Sequence, residues 1–232
     1  MRRFRVVAIW AGLLFLFVYS AGAAEVRQPI AFGFYYTFSE AEIIQYFGNR
    51  EKLSEKLSRY LLDIGVRSNA NPVVGFLKEV PFAPIPRHEI TSSISVIEPD
   101  SFFSALREQK SVGQDLESAD FIFVLTSDYI ILDFVATEQV NNEEDIFGYD
   151  LVGGKAESIG GRIALLEYNK DDKYFTNLIF HEWGHLLGLY HPEEELCKLR
   201  KLVMCPSGQR TEIEDELKRL IREFTSISKR EE

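Results

Sequence analysis

The protein has 232 residues, of which 36 are acidic and 26 are basic, and its formal net charge at neutral pH is −10. Nucleic acids and anionic membranes bind basic surfaces, so this acidic balance excludes both as expected partners. The length suits one compact domain, with room for two lobes around a cleft.

The first 24 residues have the pattern of a signal peptide. Three arginines precede an apolar run at residues 6–19 that is too short for a comfortable membrane span, and Ala21-Gly22-Ala23 is a small-residue cleavage site. We expect cleavage after Ala23 or Ala24, a mature domain at residues 25–232 without a stable membrane span, and a secreted or extracytoplasmic location. An uncleaved N-terminal membrane anchor is the alternative. Cleavage would leave 23 basic and 36 acidic residues, a net charge of −13.

The mature domain begins with a predicted strand and helix. Ile30–Tyr36 is apolar and aromatic, which predicts the strand. Ser39 and Glu42 form a capping box, and apolar spacing predicts a helix from Glu40 to Leu62 with Gly48-Asn49 as a candidate break.

Two more strands are predicted on either side of a proline-rich loop, at Val73–Val80 and Glu89–Ile97. His88 follows the prolines of this loop and is expected at the surface. A short helix then runs from Pro99 to about Glu108, starting with a proline in its first turn.

Phe121–Leu125 is continuously apolar, which predicts a strand buried on both faces. Asp128 and Asp133 follow it. They lack a calcium-loop signature, so we interpret them as capping or surface residues. Beyond them lie an acidic loop at Asn141–Asp145 and a glycine-containing segment, Leu151–Gly161, that we expect to be flexible.

Arg162–Tyr168 is predicted to be a strand, and Asp171 or Asp172 is expected to cap the next helix. Apolar residues at helical spacing predict a last amphipathic helix at Glu212–Phe224. Strands that alternate with helices predict an α/β (α+β) fold in which a sheet packs against helices.

The most informative residues are His181-Glu182-Trp183-Gly184-His185-Leu186-Leu187-Gly188-Leu189-Tyr190-His191, an HExxHxxGxxH pattern. Histidines four apart share one helix face and can bind one metal ion. Gly188 allows the chain to leave the helix sharply, which can bring His191 to the same ion. Three solvated or hydrogen-bonded histidines are the alternative interpretation.

These residues predict one catalytic zinc ion held by His181, His185 and His191. Three protein ligands leave a coordination position open, as in catalytic rather than structural zinc sites. Glu182 is placed to act as general base for hydrolysis. A ligand from one of the three glutamates at positions 193–195 is an alternative to His191.

The two cysteines, Cys197 and Cys205, follow the histidine motif. Export would expose them to an oxidising compartment, so we expect a disulfide between them, worth about 2–3 kcal/mol. Reduced thiols, or thiolates on a second metal, are the alternatives.

The histidine motif and Leu202-Val203-Met204-Cys205-Pro206 make the chain resemble the metzincin clan of zinc endopeptidases. The resemblance implies that Met204, in a tight turn, supports the histidine rings from below. It also implies an N-terminal lobe to about residue 190 and a C-terminal lobe at residues 191–232. A polypeptide is the implied substrate.

In the clan, an antiparallel edge strand of a mixed sheet lies above the cleft and pairs with the substrate. The strand before the zinc helix, with Arg162, Ile163, Ala164 and Leu165, is expected in that place. The layout is most similar to the archaemetzincins. They have a run of cysteines after the third histidine that builds a second zinc site, whereas this chain has two cysteines in all.

The alternative functions are an exported zinc-binding protein without turnover and a zinc hydrolase acting on a non-protein substrate. Glu182 favours an enzyme, because a pure binding site needs no carboxylate to transfer protons. The fold does not choose between substrates.

Overall fold

The computed structural model describes residues 28–91, 94–131, 151–206 and 212–227. The predicted signal peptide, Asp133 and the predicted acidic loop lie outside these residues. The described strands are β1 (Ile30–Tyr36), β2 (Pro72–Glu79), β3 (Arg87–Thr91), β4 (Ile94–Ile97), β5 (Phe121–Thr126), β6 (Tyr129–Ile131), β7 (Leu151–Val152), β8 (Gly154–Ala156) and β9 (Ile163–Glu167). The described helices are α1 (Glu40–Phe47), α2 (Arg50–Ser68), α3 (Pro99–Arg107), α4 (Lys110–Ser118), α5 (Asp172–Leu186), α6 (Glu194–Leu199) and α7 (Asp215–Ile227).

The main sheet has five strands in the order β2-β1-β5-β9-β8. The first four run parallel, and β8 is antiparallel to β9. Apolar side chains of α1, α2 and α5 cover one face of the sheet, and those of α3 and α4 cover the other. β5 is buried at every residue, as its continuous apolar sequence predicted. The mixed α/β fold expected from the sequence is confirmed.

The antiparallel edge strand is not the one that the sequence predicted. β9 pairs with β5 on one side and with β8 on the other, so Ile163, Ala164 and Leu165 are buried inside the sheet. The edge is β8, which lies in the glycine-containing segment that we expected to be flexible. β7 and β8 form there because their partners, β6 and β9, are supplied by other parts of the chain.

A second sheet has the order β3-β4-β6-β7. Its first two strands are antiparallel and together occupy the region predicted as the single strand Glu89–Ile97. Asp128 was wrongly interpreted as a capping or surface residue, since it is 6% exposed. Arg87 donates to its carboxylate at 2.6 Å, and the Ser95 hydroxyl also donates to it. These bonds join β3 and β4 to the turn between β5 and β6.

Capping residues and a glycine set the ends of the first two helices. The Ser39–Glu42 capping box begins α1, and the candidate break at Gly48-Asn49 separates α1 from α2. The sequence did not predict α4 or the short α6. None of the helices in the described ranges is both long and apolar enough to cross a membrane.

Cys197 in α6 and Cys205 form a disulfide, as expected. The last helix begins at Asp215, slightly later than predicted, and buries Leu217 and Ile221 against the face of the sheet that also carries α5. Each fully buried leucine or isoleucine contributes about 1.5–3 kcal/mol.

Candidate metal centre

Helix α5 carries the histidine motif and is fixed at its start. Asp171 is the N-cap and accepts hydrogen bonds from the Lys173 and Tyr174 amides, both at 3.0 Å. Asp172, in the first turn, binds Lys56 of α2 at 2.8 Å and accepts a hydrogen bond from the Tyr60 hydroxyl at 2.7 Å. Helix α2 therefore sets the direction in which α5 crosses the sheet.

The motif brings three imidazole nitrogens together. His181 and His185 lie one turn apart on α5, and Gly188, with φ of +101°, turns the chain so that His191 returns beside them. The three Nε2 atoms are 3.1–3.2 Å from one another. A positive φ of this kind strongly favours glycine, which explains the residue at this position.

Backbone carbonyls fix the tautomers of two of these rings. The Nδ1 of His181 lies 2.7 Å from the Val203 carbonyl oxygen, and the Nδ1 of His185 lies 2.7 Å from that of Leu189. A carbonyl oxygen only accepts hydrogen bonds, so both Nδ1 atoms carry the proton. The Nε2 atoms of these two rings lie 3.2 Å apart, and metal-binding histidines are typically oriented by such hydrogen bonds.

The spacing of the three nitrogens fits a zinc ion. Ligand nitrogens at 2.0–2.1 Å in a tetrahedron are about 3.3–3.4 Å apart, close to the observed separations. Within the described part of the chain, these histidines are the group of side chains that could hold a metal. The glutamates at positions 193–195, considered as alternative ligands, do not belong to it.

Met204 lies beneath the motif. It is 1% exposed, and a Cβ on Gly184 would be 2.1 Å from its Sδ atom. The methionine thus occupies the space that a side chain at position 184 would need. Glu214 accepts a hydrogen bond from the Met204 amide at 2.7 Å, and the neighbouring Val203 carbonyl binds His181. No motif in the sequence indicated this role of Glu214.

Glu182 lies between the histidines and strand β8. Its side chain is almost fully buried, and its Oε1 is 3.9 Å from the Nε2 of His181. A Cβ on Gly154 would lie 2.8 Å from Oε1. The strand backbone therefore packs directly on the carboxylate, which requires glycine at position 154. This role of Gly154 was not predicted from the sequence.

The site opens into a cleft of about 970 Å³. Strand β8 and its flanking residues form one wall, and α5 with Tyr190 and His191 forms the other. Gly153 packs near the Tyr174 hydroxyl, and Gly154 packs near Glu182. Beyond the strand, the Gly160 amide donates a hydrogen bond to the His185 carbonyl at 2.8 Å. β8 thus follows α5 along the whole cleft.

Among the strands that the structure describes, β8 pairs on one edge only, and its other edge faces the cleft. The Glu167 amide donates to the Gly153 carbonyl at 2.7 Å, and the Glu157 amide donates to the Ile163 carbonyl at 2.9 Å. Antiparallel ladders alternate, so residues 153, 155 and 157 face β9, whereas the amides and carbonyls of Gly154 and Ala156 face away from it. Within the described ranges, no strand pairs with these groups.

Arg162, predicted to belong to the substrate-binding edge, lies elsewhere. Its guanidinium donates to the carbonyls of Leu116, Ala119 and Asp120 and so closes the C-terminal end of α4. Ile163, Ala164 and Leu165 are therefore interior and Arg162 binds the end of α4, while β8 is the antiparallel strand at the edge of the sheet.

The fold is similar to that of a solved structure. The crystal structure of archaemetzincin from Methanopyrus kandleri superposes with a TM-score of 0.53, at 16% sequence identity, over 84% of this chain and 94% of that one. No protein-family model and no curated protein matches the sequence. The likeness shows the fold alone.

Proposed function

We propose that the protein is an exported zinc-dependent endopeptidase, with His181, His185 and His191 as ligands of one zinc ion. The convergence of three Nε2 atoms within 3.2 Å is the observation that supports it most strongly. A bound zinc would supply Lewis acidity, which brings the pKa of water towards neutrality and polarises a carbonyl.

Glu182 is the general base of the proposed reaction. It would accept a proton from the attacking water and pass it to the leaving amine. Its burial between the histidines and Gly154 supports this role, because packing holds the carboxylate in place and little reorganisation is needed for proton transfer. A protein that only binds zinc would have no use for a carboxylate at this place.

The substrate is a polypeptide in extended conformation. The outward amides and carbonyls of Gly154 and Ala156 can pair with a peptide backbone by strand addition. A non-protein substrate would leave this row of donors and acceptors without an obvious use. Gly188 and Met204 support the site by shaping the turn and the floor beneath the histidines.

Export is supported by two features. The N-terminal sequence has the pattern of a signal peptide, and the Cys197–Cys205 disulfide is typical of oxidising compartments. An uncleaved N-terminal anchor would also place the domain outside the cytoplasm.

The decisive experiment compares wild-type protein with Glu182→Gln and His191→Ala. We expect the wild type to contain one zinc and to cleave members of an unbiased peptide library, with activity lost in chelator. Glu182→Gln should retain zinc and lose turnover, His191→Ala should lose zinc, and Glu194→Gln, an exposed control, should behave as wild type. Full turnover by zinc-loaded Glu182→Gln would refute the mechanism.

A further inference from the structure

Strand β8 has two different faces. Ala156 packs in the core on the α5 side together with Ala164 of β9. Lys155 pairs with Leu165, whose side chain lies in the core on the opposite face. Because side chains alternate along a strand, Lys155 projects away from α5 and the histidines. It is half-buried and lines the cleft.

The charges on this face of β8 are unequal. Glu157 projects in the same direction as Lys155, and Arg107 of α3 binds its carboxylate through two contacts of 2.6 Å. Gly153 is a bend residue before β8 and has no side chain, so it adds no charge beside Lys155. Within the ranges that the structure describes, Lys155 has no ion-pair partner. One uncompensated positive charge therefore stands beside the open edge.

We propose, on the basis of the proposed function, that Lys155 selects an acidic side chain in the substrate residue directly opposite it on β8. Directly opposed residues of neighbouring strands project on the same face, with Cβ atoms about 4.5–5.5 Å apart. A glutamate or aspartate at that position meets the Lys155 ammonium.

The preference is confined to one substrate position. Two places to one side along the same face, the peptide meets Glu157, which Arg107 neutralises. Two places to the other side, it meets the bend at Gly153, which carries no side chain. Peptide residues on the other face point towards α5, where apolar groups and the histidines line the cleft. Lys155 is thus a specificity residue and takes no part in the chemistry.

The test is a binding measurement with zinc-loaded protein. Two sets of peptides carry a metal-chelating group. One set has a hydroxamate at the C-terminus, and the other has a mercaptoacetyl group at the N-terminus. Binding of this group to the zinc fixes the register of each peptide along β8, on one side of the metal or the other. Each set places Glu, Gln or Lys at one position at a time in a neutral scaffold. We expect one position at which Glu binds about two- to fivefold tighter than Gln, and Lys more weakly. The difference should vanish near 1 M salt, where the screening length is about 3 Å.

Three variants identify the residue responsible. Lys155→Gln should abolish the preference and Lys155→Glu should reverse it in favour of Lys. Lys110→Glu, at an exposed position on α4 with the same change in net charge, should keep it. Equal binding of Glu and Gln at every position of both sets, or loss of the preference in Lys110→Glu, would overturn the role of Lys155.

Cleavage of the corresponding unmodified peptides separates this inference from the proposed function. Zinc-dependent cleavage without an acidic preference in either assay would support the proposed peptidase activity and refute the role of Lys155 in substrate selection. A charge preference in binding, with no cleavage by the wild-type protein, would support the role of Lys155 in substrate selection and refute the proposed peptidase activity.

Discussion

Replacing Gly154 with alanine should disable the proposed base while leaving the metal ligands in place. The new methyl group would lie 2.8 Å from Oε1, 2.9 Å from Cγ and 3.0 Å from Cδ of Glu182. Favourable contacts of carbon atoms are about 3.5–4.0 Å, so the carboxylate or the strand must move by about 0.5–1 Å. A displacement near 1 Å can reduce a rate by about 100-fold. We expect kcat to fall about 10- to 100-fold.

The assay combines kcat and KM on a quenched fluorescent peptide with zinc content by mass spectrometry and thermal unfolding. KM should change little, because alanine at position 154 keeps the outward amide and carbonyl. Gly113→Ala is the control, since nothing lies within 4 Å of the place that its new Cβ would take, and its kcat should equal that of wild type. An unchanged kcat in zinc-loaded Gly154→Ala would show that β8 does not position Glu182.

Two further substitutions test stability. Burial raises the pKa of Glu167 from 4.5 to about 7, so its ionisation lowers the free energy of unfolding as pH rises from about 4.5 to 7. By denaturant titration, Glu167→Gln should be more stable than wild type at pH 8 but not at pH 4. Equal pH dependence of both proteins would contradict this. Gly184→Ala should be destabilised by about 1–3 kcal/mol, because its Cβ would overlap the Sδ of Met204. Met204→Ala should cost less stability in the Gly184→Ala background than in wild type, and strictly additive effects would contradict the contact.

The elements that the sequence predicted correctly are set by local chemistry. The Ser39 capping box, the break at Gly48-Asn49 and the Asp171 cap each depend on a few neighbouring residues. The closeness of the three histidines follows from helical spacing and from the turn at Gly188. Their role as zinc ligands remains a prediction.

The edge strand could not be located in this way, because pairing between distant segments decides it. The glycines of Leu151–Gly161 indicated a flexible segment, yet β9 supplies the hydrogen bonds that make residues 154–156 a strand. The run Ile163–Leu166 is continuously apolar, a pattern typical of interior strands rather than edges. Its own composition therefore opposed the position that the resemblance suggested.

Gly154 joins the two halves of the proposed mechanism. Its backbone groups face the open edge where a peptide would bind, while its Cα packs on Glu182. A slip of β8 by one residue would turn the Lys155 side chain towards α5 and the carboxylate, because alternate residues face opposite sides. The Arg107–Glu157 ion pair and the burial of Ala156 oppose that slip. The register that orients the base is thus also the register that would decide which substrate residue meets Lys155.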